Sequence, residues 1–370
     1  MASVRISDIA LFQFRLPLRR PLKIGQEVLE ERRGLVLSLT DDSGRQAFGE
    51  ASPLPGLSRE SMAQVKEEMA SLRPWLIGRL LPDHLDKVTG LFKAWLGECR
   101  LASSSRFALE TAVLGLLAAK RALPLSELLS PSPRPFVSVN GLLSGSREEI
   151  EKKAFDLRAL GYRAFKLKVG RQSVEEDIAM TQMVRRIITD DSILRLDANR
   201  AWEMEQALAF AEAVASVNVD YLEEPVGTLS LLKKLVTRIG TAVPLALDES
   251  LEGLTPRDLD GFFGIKAVVL KPTLLGFEQA MLFARGALKR GMTPVVSSAF
   301  ESEIGIEALA HMAASINTGD VPAGLDTLDW FEKGLLPTPF RIERGRLSIA
   351  KFQCFPEQVP KSLTEVTLHG

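Results

Sequence analysis

Six charged residues stand near the ends of short apolar runs: Lys166 and Lys168, Asp197, Glu223, Asp248 and Lys271. From Lys168 onward they are separated by 29, 26, 25 and 23 residues, room for one strand and one helix each time. Lys166 and Lys168 alternate within the run 164–170, so on a strand they point to the same side. Two neighbouring ammonium groups disfavour each other's charge, and both pKa values are expected to fall, which would let a lysine take a proton near neutral pH. In a parallel barrel the strand ends converge on one face, where active sites are built. Three carboxylates meeting there repel one another unless a hard cation joins them; all-oxygen ligation suits magnesium, with manganese as a substitute. The lysines then flank the metal, and the α-proton of a metal-bound substrate carboxylate comes within their reach. Glu224 follows Glu223 on the opposite strand parity, and Asn199 reads equally as a loop polar residue or as part of the site.

Elements must exist to bring these residues together. Strand-like runs cover 136–140, 164–170, 194–199, 219–225, 244–250, 267–273, 294–299 and 323–328. Helical spacing fills the gaps, for example at 148–160, 174–188, 203–217, 277–290 and 303–314. Eight strands with seven intervening helical segments fit an α/β fold of modified TIM-barrel type, (β/α)7β, over 131–328. Before it, residues 1–130 read as an α+β capping domain. Its strands are expected at 4–14, 34–39 and 46–50, and its helices at 61–72, 85–96 and 105–121. Pro131, Pro133 and Pro135 mark the boundary, and the tail 329–370 carries short strands at 340–342 and 346–349 and is expected to return to the cap. The charged segment 22–33, with Gly25, is expected to be a loop that closes over substrate.

Composition narrows the classes. Hydrophobic residues make up 46% and charged residues 25%, a globular balance, and the net charge of −1 without a basic patch argues against nucleic acid. No apolar run approaches a membrane span, and residues 1–20 lack the apolar core of a signal peptide, so a cytoplasmic setting without membrane attachment is expected. Cys99 and Cys354 are too few for a disulfide framework, and His84, His311 and His369 are scattered, so acid–base chemistry must rest on carboxylates and lysines. The partner expected is a small-molecule carboxylate; oligomeric state is not legible.

The phrases Lys166-Leu-Lys168, Asp197-Ala-Asn199, Leu222-Glu-Glu-Pro225, Asp248-Glu-Ser250 and Lys271-Pro-Thr273 resemble the enolase superfamily, muconate-lactonizing-enzyme branch, over essentially the whole chain. The resemblance implies that Lys168 is the acid–base lysine, that Lys166 lowers its pKa, that Asp197, Glu223 and Asp248 bind magnesium, and that Lys271 faces the substrate from across. Residues 194–202, 269–273, 297–302, 324–328 and 49–56 are similar to one dehydratase group of that branch. This implies loss of water from a hydroxycyclohexadiene carboxylate, with Asn199, Ser297, Ser298, Glu301 and Gly324 binding substrate; Ala299 stands where that group's phrase would carry a third serine. The same scaffold also carries racemases and epimerases of N-acylated amino acids and dipeptides. A dipeptide epimerase would bring Asp-x-Asp at the eighth strand, where Asp326 is here a single acid.

Overall fold

The computed structural model describes residues 4–240, 242–316, 319–336, 341–349 and 363–366. Cys354, His369 and Phe340, the first residue of the strand expected at 340–342, lie outside them.

The cap is built on a long hairpin. Val4–Ile24 pairs antiparallel with Glu27–Asp41, which pairs in turn with Gln46–Ala51. Period-two alternation drives it: Leu35, Leu37 and Leu39 share one face with Ile9 and Leu11 and join the core around helix Ser103–Lys120, while Val36 joins Phe14 and Leu16 on the other. The strands run further than their apolar stretches suggest. The segment 22–33 is not a loop: Leu22↔Leu29, Lys23↔Val28 and Ile24↔Glu27 are paired around a turn in which Gly25 takes φ +57°. Its run of Glu and Arg hides the strand because this outer part of the hairpin has little apolar alternation.

Helix Met62–Leu76 starts at Ser61, whose side chain accepts from the N–H of Gln64. The helix expected at 85–96 is broken into a 3-10 turn, Asp83–Lys87, and a short helix, Leu91–Leu96. The break follows the left-handed backbone of Val88 and Gly90.

Seven parallel strands follow in spatial order: Gly141–Leu143, Ala164–Lys168, Ile193–Asp197, Tyr221–Glu223, Leu245–Leu247, Ile265–Leu270 and Thr293–Val296. Ala323 bridges in parallel to Val139 and Gly324 to Ser297, which brings the two edges together. The run expected as the eighth strand therefore contributes two bridging residues, followed by the 3-10 turn Leu328–Trp330. The run expected as the first strand also divides: Phe136–Ser138 pairs antiparallel with Arg346–Ser348 from the tail, and the strand that pairs with Ala164–Lys168 begins at Gly141. Helices Arg147–Ala159, Val174–Ile188, Met204–Val214, Leu229–Ile239, Phe277–Leu288 and Glu303–Ile316 supply the crossovers. Between the fifth and sixth strands, 3-10 turns Glu249–Leu251 and Asp258–Gly261 stand where the alternation implies a helix. The capping boxes Ser146/Glu149 and Ser173/Glu176 start two of the helices.

Cap and barrel are joined by carboxylates that cap each other's helices. Glu110 of the cap accepts from the N–H of Glu278 at the start of Phe277–Leu288 (2.8 Å), and Glu278 accepts from the N–H groups of Gly90 (2.9 Å) and Phe92 (3.2 Å). Glu50 accepts from the N–H groups of Ser302 (3.0 Å) and Gly305 (3.0 Å), at the start of Glu303–Ile316. Thr364–Glu365 of the tail pairs antiparallel with Val4–Ile24 of the cap. Among the described residues, no helix is long and apolar enough to cross a membrane.

Glu278→Ala leaves two N–H groups of the cap without their acceptor, at a cost of about 1–2 kcal/mol. The urea midpoint should fall accordingly, with Glu278→Gln intermediate; an unchanged midpoint for the alanine variant would show that the reciprocal caps do not hold the two parts together.

Candidate active site

Strand register does the first positioning. Lys168 is opposite Asp197 and Asp197 opposite Glu223, so three charged side chains stand in one rank across three strands. Asp248 lies one residue past the fifth strand and Lys271 one past the sixth. Asp197, Glu223 and Asp248 are all buried, each offers an oxygen within 4.8 Å of the others, and they could hold a metal ion. All-oxygen ligation by three carboxylates suits a hard divalent cation.

Lysines answer the buried charge. Lys166 Nζ donates to Glu223 Oε1 (2.7 Å) and Oε2 (2.8 Å) and lies 2.8 Å from Asp197 Oδ2. Lys168 Nζ donates to Asp197 Oδ2 (2.6 Å) and Asn199 Oδ1 (2.7 Å), and Lys271 Nζ donates to Asp248 Oδ2. Burial pushes Asp197 up, but Lys166, Lys168 and Lys271 outweigh it and hold the carboxyl well below its usual range. Asp248 is lowered against burial chiefly by Lys271, while Glu223 is raised by burial and by the Asp197 charge. Lys166 departs from the sequence-based expectation. Burial lowers its pKa, yet Asp197 and Glu223 more than offset that, and it is raised rather than depressed. The spacing showed the neighbouring lysine but not the two carboxylates between which Lys166 sits.

Behind the acids lies a network not anticipated from sequence. Glu224, fully buried, accepts from the N–H groups of Asp248 and Ser250 (2.8 Å each), from Ser250 Oγ (2.8 Å) and from Arg200 Nε (3.1 Å). Its φ of +41° turns it away from Glu223 and toward the fifth strand. Asn199 touches the site through Lys168, and its Nδ2 donates to Glu249 Oε1 (3.0 Å). The consecutive acids of Glu223-Glu224 and Asp248-Glu249 were the available signal.

The remaining candidates fall around the seventh strand. Ser297 is buried beside Gly324, where a Cβ would come within 2.6 Å of the Ser297 Oγ and displace that side chain. Glu301 is committed: it accepts from Thr273 Oγ1 (2.6 Å), Ser298 Oγ (2.6 Å) and the N–H of Ala299 (2.8 Å). Ser298 Oγ in turn contacts Thr327 Oγ1 (2.9 Å) and accepts from the N–H of Phe300 (2.9 Å). Arg32, a buried residue of the hairpin strand Glu27–Asp41, donates to the carbonyls of Ser52 (2.7 Å), Pro53 (2.9 Å) and Phe300 (3.1 Å). A cavity of about 250 Å³ opens beside Asp248 and Lys271, roofed by Leu57 and Arg59 of the cap, and Arg59 pairs with Glu252 of the barrel.

Residues 149–352 match the family described as enolase C-terminal domain-like, and residues 6–85 match the MenC N-terminal domain. The chain belongs to the enolase superfamily. It is 31% identical to an o-succinylbenzoate synthase of Aliivibrio fischeri over 88% of this chain and 91% of that one. With the o-succinylbenzoate synthase of Vibrio cholerae it shares 30% identity over 89% and 92%. It is also 31% identical over 93% of its length to the chloroplastic protein PHYLLO of Arabidopsis thaliana, spanning only 22% of that protein. Among solved structures of the superfamily, the L-Ala-D/L-Glu epimerase of Bacillus subtilis superposes with a TM-score of 0.82 at 25% identity, covering 93% of this chain and 96% of that one. The muconate lactonizing enzyme of Pseudomonas fluorescens gives 0.81 at 21% identity, covering 98% and 97%.

Asp326 is hydrogen-bonded by the Tyr162 hydroxyl and lies near Lys153 and Asp329; burial pushes it up to about 6. A carboxyl raised in the folded state keeps its proton there after the unfolded chain has lost it, so stability falls as pH rises from about 4 to 6. A rise from 3.8 to about 6 corresponds to at most about 3 kcal/mol. Asp326→Asn should therefore gain stability relative to the parent between pH 4 and pH 7 in urea titrations; parallel pH profiles would contradict the assignment.

Proposed function

We propose that the chain is an o-succinylbenzoate synthase, which dehydrates 2-succinyl-6-hydroxy-2,4-cyclohexadiene-1-carboxylate to o-succinylbenzoate in menaquinone biosynthesis. The observation that carries the reading is the buried Asp197-Glu223-Asp248 trio with Lys168 bonded to one side and Lys271 to the other. Identity of about 30% with such synthases along most of the chain supports it.

Asp197, Glu223 and Asp248 would hold Mg2+, with Mn2+ as a substitute. Bound there, the cation supplies positive charge for the substrate carboxylate as electron density moves onto it. Lys168, in its neutral form, takes the α-proton: the C–H bond breaks and its electrons pass into the carboxylate as an enolate. The resulting Lys168 ammonium then gives its proton to the hydroxyl group leaving from the same face, so one base serves both steps and water departs. Aromatisation favours the second step. Lys271 keeps its charge, raised against burial by Asp248 and Glu249, and as a cation beside the ring it stabilises the enolate. Ser297 and the loop around Ser298 and Glu301 shape the far side of the pocket.

A second reading, a racemase or epimerase of N-acylated amino acids or dipeptides, is favoured by the two flanking lysines. The engagement of Asp326 with Tyr162 weighs against a dipeptide's ammonium group being held there.

Ultraviolet-monitored conversion of the cyclohexadiene, run beside deuterium exchange on N-succinylamino acids, separates the readings. Lys168→Ala should lose at least about 100-fold in dehydration, as expected when a proton carrier is removed. Lys271→Arg, which keeps charge but changes reach, should lose less. If Lys168→Ala stayed near parent while Lys271→Ala was inactive, the roles would be exchanged. Chelation should abolish turnover and Mg2+ restore it; full activity after chelation would exclude the metal assignment.

A further inference from the structure

We propose that Glu249 is a positioning residue for the base: it fixes the Asn199 side chain so that the amide oxygen holds Lys168. The inference rests on the reading of Lys168 as the proton carrier, and extends it to a residue outside both the carboxylate trio and the lysine set.

The geometry is a chain across three strands. Asn199 follows the third strand with φ +44°, and its N–H donates to Asp197 Oδ1 (3.0 Å). Its side chain then reaches two partners of opposite kind. Oδ1 accepts from Lys168 Nζ (2.7 Å), while Nδ2 donates to Glu249 Oε1 (3.0 Å). An ammonium group offers only donors and a carboxylate only acceptors, so these two neighbours together permit a single orientation of the amide. Without Glu249 the amide could rotate and turn its NH2 toward Lys168, donor against donor.

Among the described residues, Lys168 has one other acceptor, Asp197 Oδ2, but that oxygen also lies 2.8 Å from Lys166 and belongs to the trio that would hold the cation. Asn199 is thus the acceptor that serves Lys168 apart from the trio. Glu249 stands at the head of the 3-10 turn Glu249–Leu251, which carries it from the fifth strand back toward the third. Its Oε2 is buried and, among the described residues, has no hydrogen-bond partner. Such a group is costly to keep, and aiming Oε1 at Asn199 is the return visible in the structure.

Glu249→Ala should lower kcat by about 10–100-fold, the range for losing a group that orients a reacting one, with KM nearly unchanged. The isotope effect on kcat with α-deuterated substrate should rise, because proton removal becomes slower relative to other steps. Glu249→Gln retains an oxygen able to accept from Asn199 Nδ2 and should recover most of the activity. The double variant Glu249→Ala/Asn199→Ala should be no slower than the slower single variant, since the residues act as one chain. In protein freed of metal and labelled with 15N at asparagine, the Asn199 side-chain NH2 protons should exchange faster with solvent in Glu249→Ala.

Equal losses in the Ala and Gln variants, multiplicative losses in the double variant, or unchanged amide exchange would each overturn the inference. An active Lys168→Ala enzyme would remove the reading beneath it. Inactive Lys168→Ala beside a fully active Glu249→Ala would overturn this inference alone.

Discussion

Everything at the mouth of this barrel depends on the compensation of three buried carboxylates. Asp197 and Glu223 are fully buried and Asp248 nearly so, and like charges at this separation cannot share a dry site unaided. The protein answers with lysines from the second and sixth strands, and the pKa directions record the result: Asp197 and Asp248 lowered, Glu223 raised, Lys166 and Lys271 raised. Lys166 acts here as a fixed counter-charge, seated on Glu223 and Asp197. Lys168 is the more exposed of the pair and reaches Asn199 as well.

That compensation requires side chains aimed to within fractions of an ångström, and strand register alone does not supply it. Asn199, Arg200 and Glu224 all take positive φ just beyond their strands, a region sparsely used by residues with a Cβ. The strain is held by specific bonds. Arg200 N–H donates to the Glu224 carbonyl (2.6 Å), its guanidinium reaches Glu224 and Ser250, and Glu224 holds the backbone N–H of Asp248. The third, fourth and fifth strands are thereby locked at the residues that follow their carboxylates.

How much of this could be read from the chain depends on range. The barrel was legible because each strand–helix unit repeats locally, and Val174–Ile188 declares itself by apolar period and by the Ser173/Glu176 box. One charged residue per unit then located the cluster. What escaped were features that need partners far away in sequence. The hairpin around Gly25 has only Leu22, Ile24 and Leu29 as a packed apolar face among many charged residues, so its pairing is what reveals it. The split of Phe136–Ser138 from the first parallel strand requires the tail strand Arg346–Ser348. The sign of the shift at Lys166 required knowing that Asp197 and Glu223 close around it. Glu301 was implied as a substrate contact by resemblance alone; that its oxygens accept from Thr273, Ser298 and the N–H of Ala299 needed the fold.

The same logic extends to the seam between cap and barrel. Glu50 sits at the start of helix Glu303–Ile316, and Arg32 grips carbonyls on both sides of that seam, Ser52 and Pro53 in the cap and Ala299 and Phe300 in the barrel. The segment they hold, 298–302, also carries Ser298 and Glu301. A cap that merely covered the site could be joined by apolar contact alone, as it is where Phe14, Leu16 and Trp330 pack together. Burying a guanidinium and a carboxylate costs more than such contact, and the cost is met only when every donor and acceptor is matched. Matched groups are directional where apolar contact is not. The seam therefore fixes one placement of the 298–302 segment relative to the cap.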